Sequence, residues 1–95
     1  MSEYVITFAQ SARKELERLN TNTVSRIFPK IEALAQNPRP HGLRKLRGFD
    51  SLWRIRIGDY RIIYKIHDNQ MVIDIVAVRH RSQVYRSGQL QKENK

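Results

Sequence analysis

Arg54, Arg56, Arg61, Arg79 and Arg81, with Tyr85 beyond them, are the residues of this 95-residue chain whose types and spacing suit chemistry on a phosphodiester. A guanidinium is planar, stays charged in any ordinary environment and can grip phosphate through two parallel N–H donors. Several of them around one phosphate would stabilise a pentacoordinate, dianionic transition state. A tyrosine beside them could stack on a base or move a proton. Arg54, Arg56, Arg61 and Arg81, together with Lys65, are also the candidates for holding the phosphates of a nucleic acid. His80 lies between two arginines in the sequence, where neighbouring positive charge favours the neutral imidazole, and it is a candidate general base. The bland alternative for the whole set is a solvated sheet face.

Other chemistries find no support. There is no cysteine, hence no disulfide, thiolate metal site or thiol nucleophile. His41, His67 and His80 are not at ligand spacing, so neither a metal nor a cofactor is expected. His41 and His67 read as solvent-facing loop residues. There is no glycine-rich phosphate loop and no serine-nucleophile motif. Lysine and arginine number 18 against 9 acidic residues, a formal net charge of +9. The positive charge is concentrated rather than spread, which points to nucleic acid, an acidic protein, or both. The sequence starts without a basic stretch followed by a long apolar run, and no apolar run approaches the ~18 residues that span a membrane. A soluble, cytoplasmic protein with no membrane partner is expected.

The elements that must position the arginines are strands. Leu52–Ile66, LWRIRIGDYRIIYKI, contains two alternations of apolar and basic residues around Gly58-Asp59, the pattern of a hairpin with a type II′ turn. Its register pairs Ile57 with Tyr60, Arg56 with Arg61, Ile55 with Ile62, Arg54 with Ile63 and Trp53 with Tyr64. One face then holds Trp53, Ile55, Ile57, Tyr60, Ile62 and Tyr64 and must be buried. The other holds Arg54, Arg56, Arg61 and Lys65. Arg56 and Arg61 oppose each other, and like charges across a ladder destabilise it. A bound polyanion on that face would explain the arrangement.

The rest of the chain builds the support. Tyr4–Phe8 reads as a first strand. Ala12, Leu16 and Leu19 give an amphipathic helix from about Ala9 to near Asn20, and Val24, Ile27, Phe28, Ile31, Leu34 and Ala35 give a second. Thr21-Asn22-Thr23 offers its N-cap, and Pro29 predicts a bend. Leu43–Leu46 is a candidate short strand. With Asp68-Asn69 as the centre of a second turn, Tyr64 faces Ile73, Ile62 faces Ile75 and Arg61 faces Val76. Asp74 then lies beside Ile63 and partly neutralises the basic face. Ser82 can cap a short helical turn that holds Tyr85. The predicted class is α+β: an N-terminal strand and a two-helix antiparallel hairpin on one face of a twisted, mostly antiparallel sheet of four to five strands, closed by a short C-terminal helical turn. Residues 1–88 form one domain and 89–95 a polar tail.

The succession Leu46-Arg47-Gly48, Trp53-Arg54-Ile55-Arg56, Gly58-Asp59-Tyr60-Arg61-Ile62-Ile63-Tyr64 and Val78-Arg79-His80-Arg81-Ser82-Gln83-Val84-Tyr85 resembles the RelE/ParE superfamily of type II toxin–antitoxin toxins, closest to the RelE branch. The likeness extends from the first strand to about Arg86. It implies a ribosome-dependent messenger RNA endonuclease in which the 2′-hydroxyl attacks the adjacent phosphate. The implied partners are the ribosome with its mRNA and an acidic, RelB-like antitoxin. By matching motif it places the catalytic set on Arg54, Arg56, Arg61, Arg79 and Tyr85, with Arg81 auxiliary. RelE toxins have lysines where this chain has Arg54 and Arg56; arginine is a very poor base, so the base falls to His80, Tyr85 or the ribosome. The alternatives are a ParE-like poison of DNA gyrase without nuclease activity, or a non-catalytic RNA- or ribosome-binding module.

Overall fold

The computed structural model describes residues 3–48 and 51–82. Strand β1 is Val5–Phe8, a run of β-branched and aromatic residues, in which Ile6 and Phe8 turn inward while Val5 stays exposed. Helix α1, Gln10–Glu17, buries Ala12 completely and packs Leu16 against the core. Helix α2, Thr21–Ala33, buries Ile27 and Ile31 and runs through Pro29 as one element. Its N-cap is Asn20, one residue before the expected Thr21-Asn22-Thr23. The Asn20 side chain accepts from the Thr23 N–H at 2.8 Å, so the three candidate residues form the first turn instead.

Strands β2 (Arg44–Lys45), β3 (Leu52–Ile57), β4 (Tyr60–His67) and β5 (Val72–His80) complete a five-stranded sheet ordered β1-β5-β4-β3-β2. The strand β1 runs parallel to β5, and the remaining neighbours are antiparallel. The β3–β4 register is the expected one at every pair from Trp53↔Tyr64 to Ile57↔Tyr60. Gly58 has φ +59°, and Asp59 has an ordinary negative φ, as a type II′ turn requires.

The β4–β5 register differs from the expected one. The loop spans Asp68–Met71, and Met71 takes φ +58°, so His67 pairs with Val72 and Tyr64 with Ile75 rather than Ile73. A β-bulge at Val76, between the pairs Tyr64↔Ile75 and Ile63↔Ala77, then adds one more residue of slip. Ile62 faces Val78, and Arg61 faces Arg79 instead of Val76.

Both helices cover one face of the sheet. Ala12, Ile27, Ile31 and Leu34 pack there against Ile55, Ile62, Tyr64, Ile73, Ile75 and Val78. Tyr64 is fully buried, as the alternation predicts, and its hydroxyl donates to the Pro38 carbonyl at 2.8 Å. Burial pushes its phenol well above the usual tyrosine range. Residue Tyr85 and the tail expected from 89 to 95 lie outside the described residues. Arg81 and Ser82 are helical, which is as much of the expected C-terminal turn as is described.

Candidate nucleic-acid interface

Strand parity decides which side chains reach the helix-free face. In β5, Ile73 and Ile75 belong to the core. Strict alternation would continue inward with Ala77 and Arg79 and send Val78 and His80 out. The extra residue at Val76 reverses the parity. Val78 joins the core, and Arg79 emerges opposite Arg61. Arg61 is also paired with Arg56 on its other side. Arg56, Arg61 and Arg79 therefore form an unbroken rung across β3, β4 and β5. Neighbouring strands are about 4.8 Å apart, so the rung spans ~10 Å, a distance suited to one phosphodiester and its neighbours.

Arg54 stands one rung away on the same face, beside Ile63. Ile63 and Ala77 are buried at 2% and 4% exposure yet lie outside the main core, forming an apolar floor next to the arginines. Arg81 is drawn in from the strand end, where its backbone N–H donates to the Asp59 carbonyl at 2.6 Å.

Arg61 bears the consequences of this crowding. Burial, then Arg56, Arg54 and Arg81 in that order, lower its pKa; Asp59 opposes them. Arginine remains charged at neutral pH even so. Its Nη1 is buried and has no hydrogen-bond partner. A fold gains nothing from an unsatisfied cationic donor surrounded by like charge. An anion entering the rung would satisfy it.

Lys65 keeps its expected place further along the same face, two residues beyond Ile63 on β4, where it pairs with Asp74 and Leu52. Two other residues expected near the arginines stand elsewhere. The same slip places Asp74 opposite Lys65, where its Oδ1 accepts from the Thr7 hydroxyl at 2.9 Å, and it does not neutralise the rung. His80 shares the helix side of β5 with Val78. Its ring meets Tyr60 edge-on at 5.2 Å, and its Nδ1 accepts from the Ser82 N–H at 3.2 Å. His80 thus sits behind the arginine rung rather than within it. Tyr85 lies outside the described residues.

Two residues join the site that the sequence reading passed over. Arg44 of β2 is paired directly with Arg54 and extends the basic face to the sheet edge. The pairing of Leu43–Leu46 with the hairpin would have shown this, had its register been fixed. Glu15 of α1 bonds Arg79 from 64 residues away, and no local pattern announces it. Among the described residues no group of histidine and acidic side chains is arranged to hold a metal ion, and no helix is long and apolar enough to cross a membrane.

Known proteins share this plan. Residues 6–85 match the family model described as the ParE toxin of the type II toxin–antitoxin system parDE. The chain is 29% identical over 86 residues to the mRNA interferase toxin RelE of Escherichia coli, covering 86% of this chain and 90% of that protein. It superposes with TM-score 0.72 on a chain of the archaeal RelE–RelB complex from Pyrococcus horikoshii, at 29% identity, covering 85% of this chain and 97% of the other. Against the intact E. coli RelBE toxin–antitoxin complex the TM-score is 0.71 at 25% identity, with 81% and 95% covered. With two helices on one face of a five-stranded sheet, an arginine rung on the other, and a family match over most of its length, this chain belongs to the RelE/ParE superfamily of type II toxins.

Proposed function

We propose that this protein is the toxin of a type II toxin–antitoxin pair and acts as an mRNA interferase, cutting transcripts on the ribosome. The observation that carries the reading is the Arg56–Arg61–Arg79 rung with its buried, unpartnered Arg61 Nη1. The likeness to RelE supports the same conclusion.

In this reading the 2′-hydroxyl of one nucleotide attacks the adjacent phosphorus. The O2′–P bond forms, the P–O5′ bond breaks, and the products are a 2′,3′-cyclic phosphate and a 5′-hydroxyl. The proton leaving O2′ needs an acceptor, and O5′ needs a donor. Arg54 and Arg56 bind and orient the phosphate. Arg61 and Arg79 meet the negative charge that develops on the phosphoryl oxygens and the leaving O5′. Arg44 and Arg81 hold flanking phosphates. The base falls to Tyr85, to His80 moved round the strand end, or to a group of the ribosome. Because arginines supply the positive charge, no metal is assigned a role, and cleavage should persist in EDTA.

The partner we assign is an acidic antitoxin that covers the basic face. Both solved complexes named above pair a RelE chain with RelB. A disordered acidic segment that folds on this surface would neutralise the arginines and gain a fast, charge-steered association.

The test is a translation reaction with the purified protein, followed by primer extension on ribosome-bound transcripts. Cuts within codons in the presence of EDTA are expected. The family model carries the ParE name, so gyrase supercoiling is measured alongside. Intact transcripts with failed supercoiling would replace this reading by a gyrase poison. Ribosome binding without either effect would leave a non-catalytic binding module.

A further inference from the structure

Glu15 stands outside the arginine set, on α1, yet both of its carboxylate oxygens are committed to the stretch of β5 that carries Arg79. Oε1 accepts from the backbone N–H of Val78 at 2.6 Å. Oε2 accepts from Nε of Arg79 at 2.5 Å. The two side chains are 22% and 21% exposed, so the pair is largely withdrawn from water. Among the described residues, Arg79 is the one arginine of the rung paired with a carboxylate.

The choice of atoms matters. A guanidinium has five N–H donors, and Glu15 takes the single one on Nε. The four on Nη1 and Nη2, the edge that grips phosphate in a bidentate way, stay available. Because Oε1 is anchored to the amide just before Arg79, the carboxylate is fixed in the frame of β5 itself. Arg61 faces Arg79 across the ladder. Left alone, a long arginine would swing out to solvent. A carboxylate on its Nε opposes that.

We propose that Glu15 is a positioning residue for Arg79: it holds the guanidinium in the rung with its phosphate-binding edge presented to the substrate. The proposal rests on the cleavage reading above and goes beyond it by naming a residue on the opposite side of the sheet edge that sets the geometry.

The test compares Glu15→Gln with wild type. The amide oxygen can still accept from Val78 N–H, but the amide nitrogen cannot accept from Arg79 Nε. Hydrogen exchange at the Val78 amide should therefore stay near wild type, while the protected Arg79 Nε–H resonance disappears. On ribosome-bound transcripts kcat should fall about ten- to a hundredfold, in keeping with the cost of small misplacements, with KM changing less. Glu15→Asp, which keeps both acceptors on a shorter stem, should recover part of the rate and covers the case in which the glutamine variant fails to fold. Combining Glu15→Gln with Arg79→Ala should be no slower than Arg79→Ala alone. A wild-type kcat in Glu15→Gln with the Nε–H signal lost would overturn the proposal. So would a fully additive loss in the double variant. If wild-type protein cuts no transcript, the cleavage reading falls, and the Nε–H resonance still reports separately whether Glu15 holds Arg79.

Discussion

At Arg61 the interests of folding and of function diverge. Its Nη1 is buried without a partner, and the like charges of Arg56, Arg54 and Arg81 act on it against the single opposing charge of Asp59. Arg61→Met keeps the aliphatic stem and removes the unsatisfied donor, so its unfolding free energy should match or exceed that of wild type, by on the order of 1 kcal/mol. Cleavage by the same variant should drop about 10²–10³-fold, the usual cost of losing one transition-state donor. A variant that melts early would show that Arg61 supports the fold after all. Asp68 presents the reverse case, a charged residue devoted to structure. It accepts a forked pair of bonds from Arg39 at 2.8 and 3.2 Å and the Tyr4 hydroxyl at 2.6 Å. Those bonds, Arg39 first, pull its carboxyl down to about 2. The folded value lies below the unfolded one of ~3.9, so the stabilisation is complete above that pH and fades as pH falls towards the folded value. The melting difference between wild type and Asp68→Asn should therefore narrow steadily from pH 5 to pH 2. A constant difference would mean that the clamp does not titrate with the fold.

Among the elements, the β3–β4 hairpin was legible because two signals agree. Gly58 fixes a two-residue turn, and strict alternation on both sides fixes the pairing. The β4–β5 pairing had neither. Its loop spans Asp68–Met71 and uses a left-handed methionine, and β5 is apolar on both faces, so a slip of one residue costs no visible pattern. The bulge at Val76 leaves no mark on composition, although it decides that Arg79 rather than His80 faces the rung. That is why Asp74 and His80, which the simple register sets beside the arginines, stand apart from them. Deleting Val76 removes the extra residue and leaves Ala77 outward, Val78 inward and Arg79 outward opposite Arg61, so the deletion variant should keep its cleavage and its Arg79 Nε–H resonance. A dispersed amide spectrum with that resonance lost and cleavage abolished would show that the bulge itself, and not only the parity it sets, positions Arg79. The cap of α2 was misplaced by one residue for a simpler reason, since Asn20, Thr21, Asn22 and Thr23 all suit the position. Asn20→Ala should destabilise by about 0.5–2 kcal/mol in urea unfolding, while Thr21→Ala should have little effect.

For the molecule as a whole, the sheet separates two unlike faces. The helices shield an apolar layer on one side, and the other side presents Arg44, Arg54, Arg56, Arg61 and Arg79. If four of these reach phosphates of a single strand, log K for binding should fall with log salt at a slope of about −3. Titrations between low and physiological salt measure the slope, and a flat response would exclude phosphate contact as the source of affinity. The helix layer also has a bearing on how the chain behaves in company. Past the end of β1, three outward backbone groups of β5 are taken by the segment leading into α1 and by α1 itself. Ala9 N–H donates to the Ile75 carbonyl at 2.9 Å, the Ser11 hydroxyl to the Val76 carbonyl at 2.9 Å, and Val78 N–H donates to Glu15. An apolar strand left open there would be a template for a second chain. Here the helix occupies the seat of the missing strand, so a cell could accumulate this protein without that stretch of β5 recruiting copies into a growing sheet.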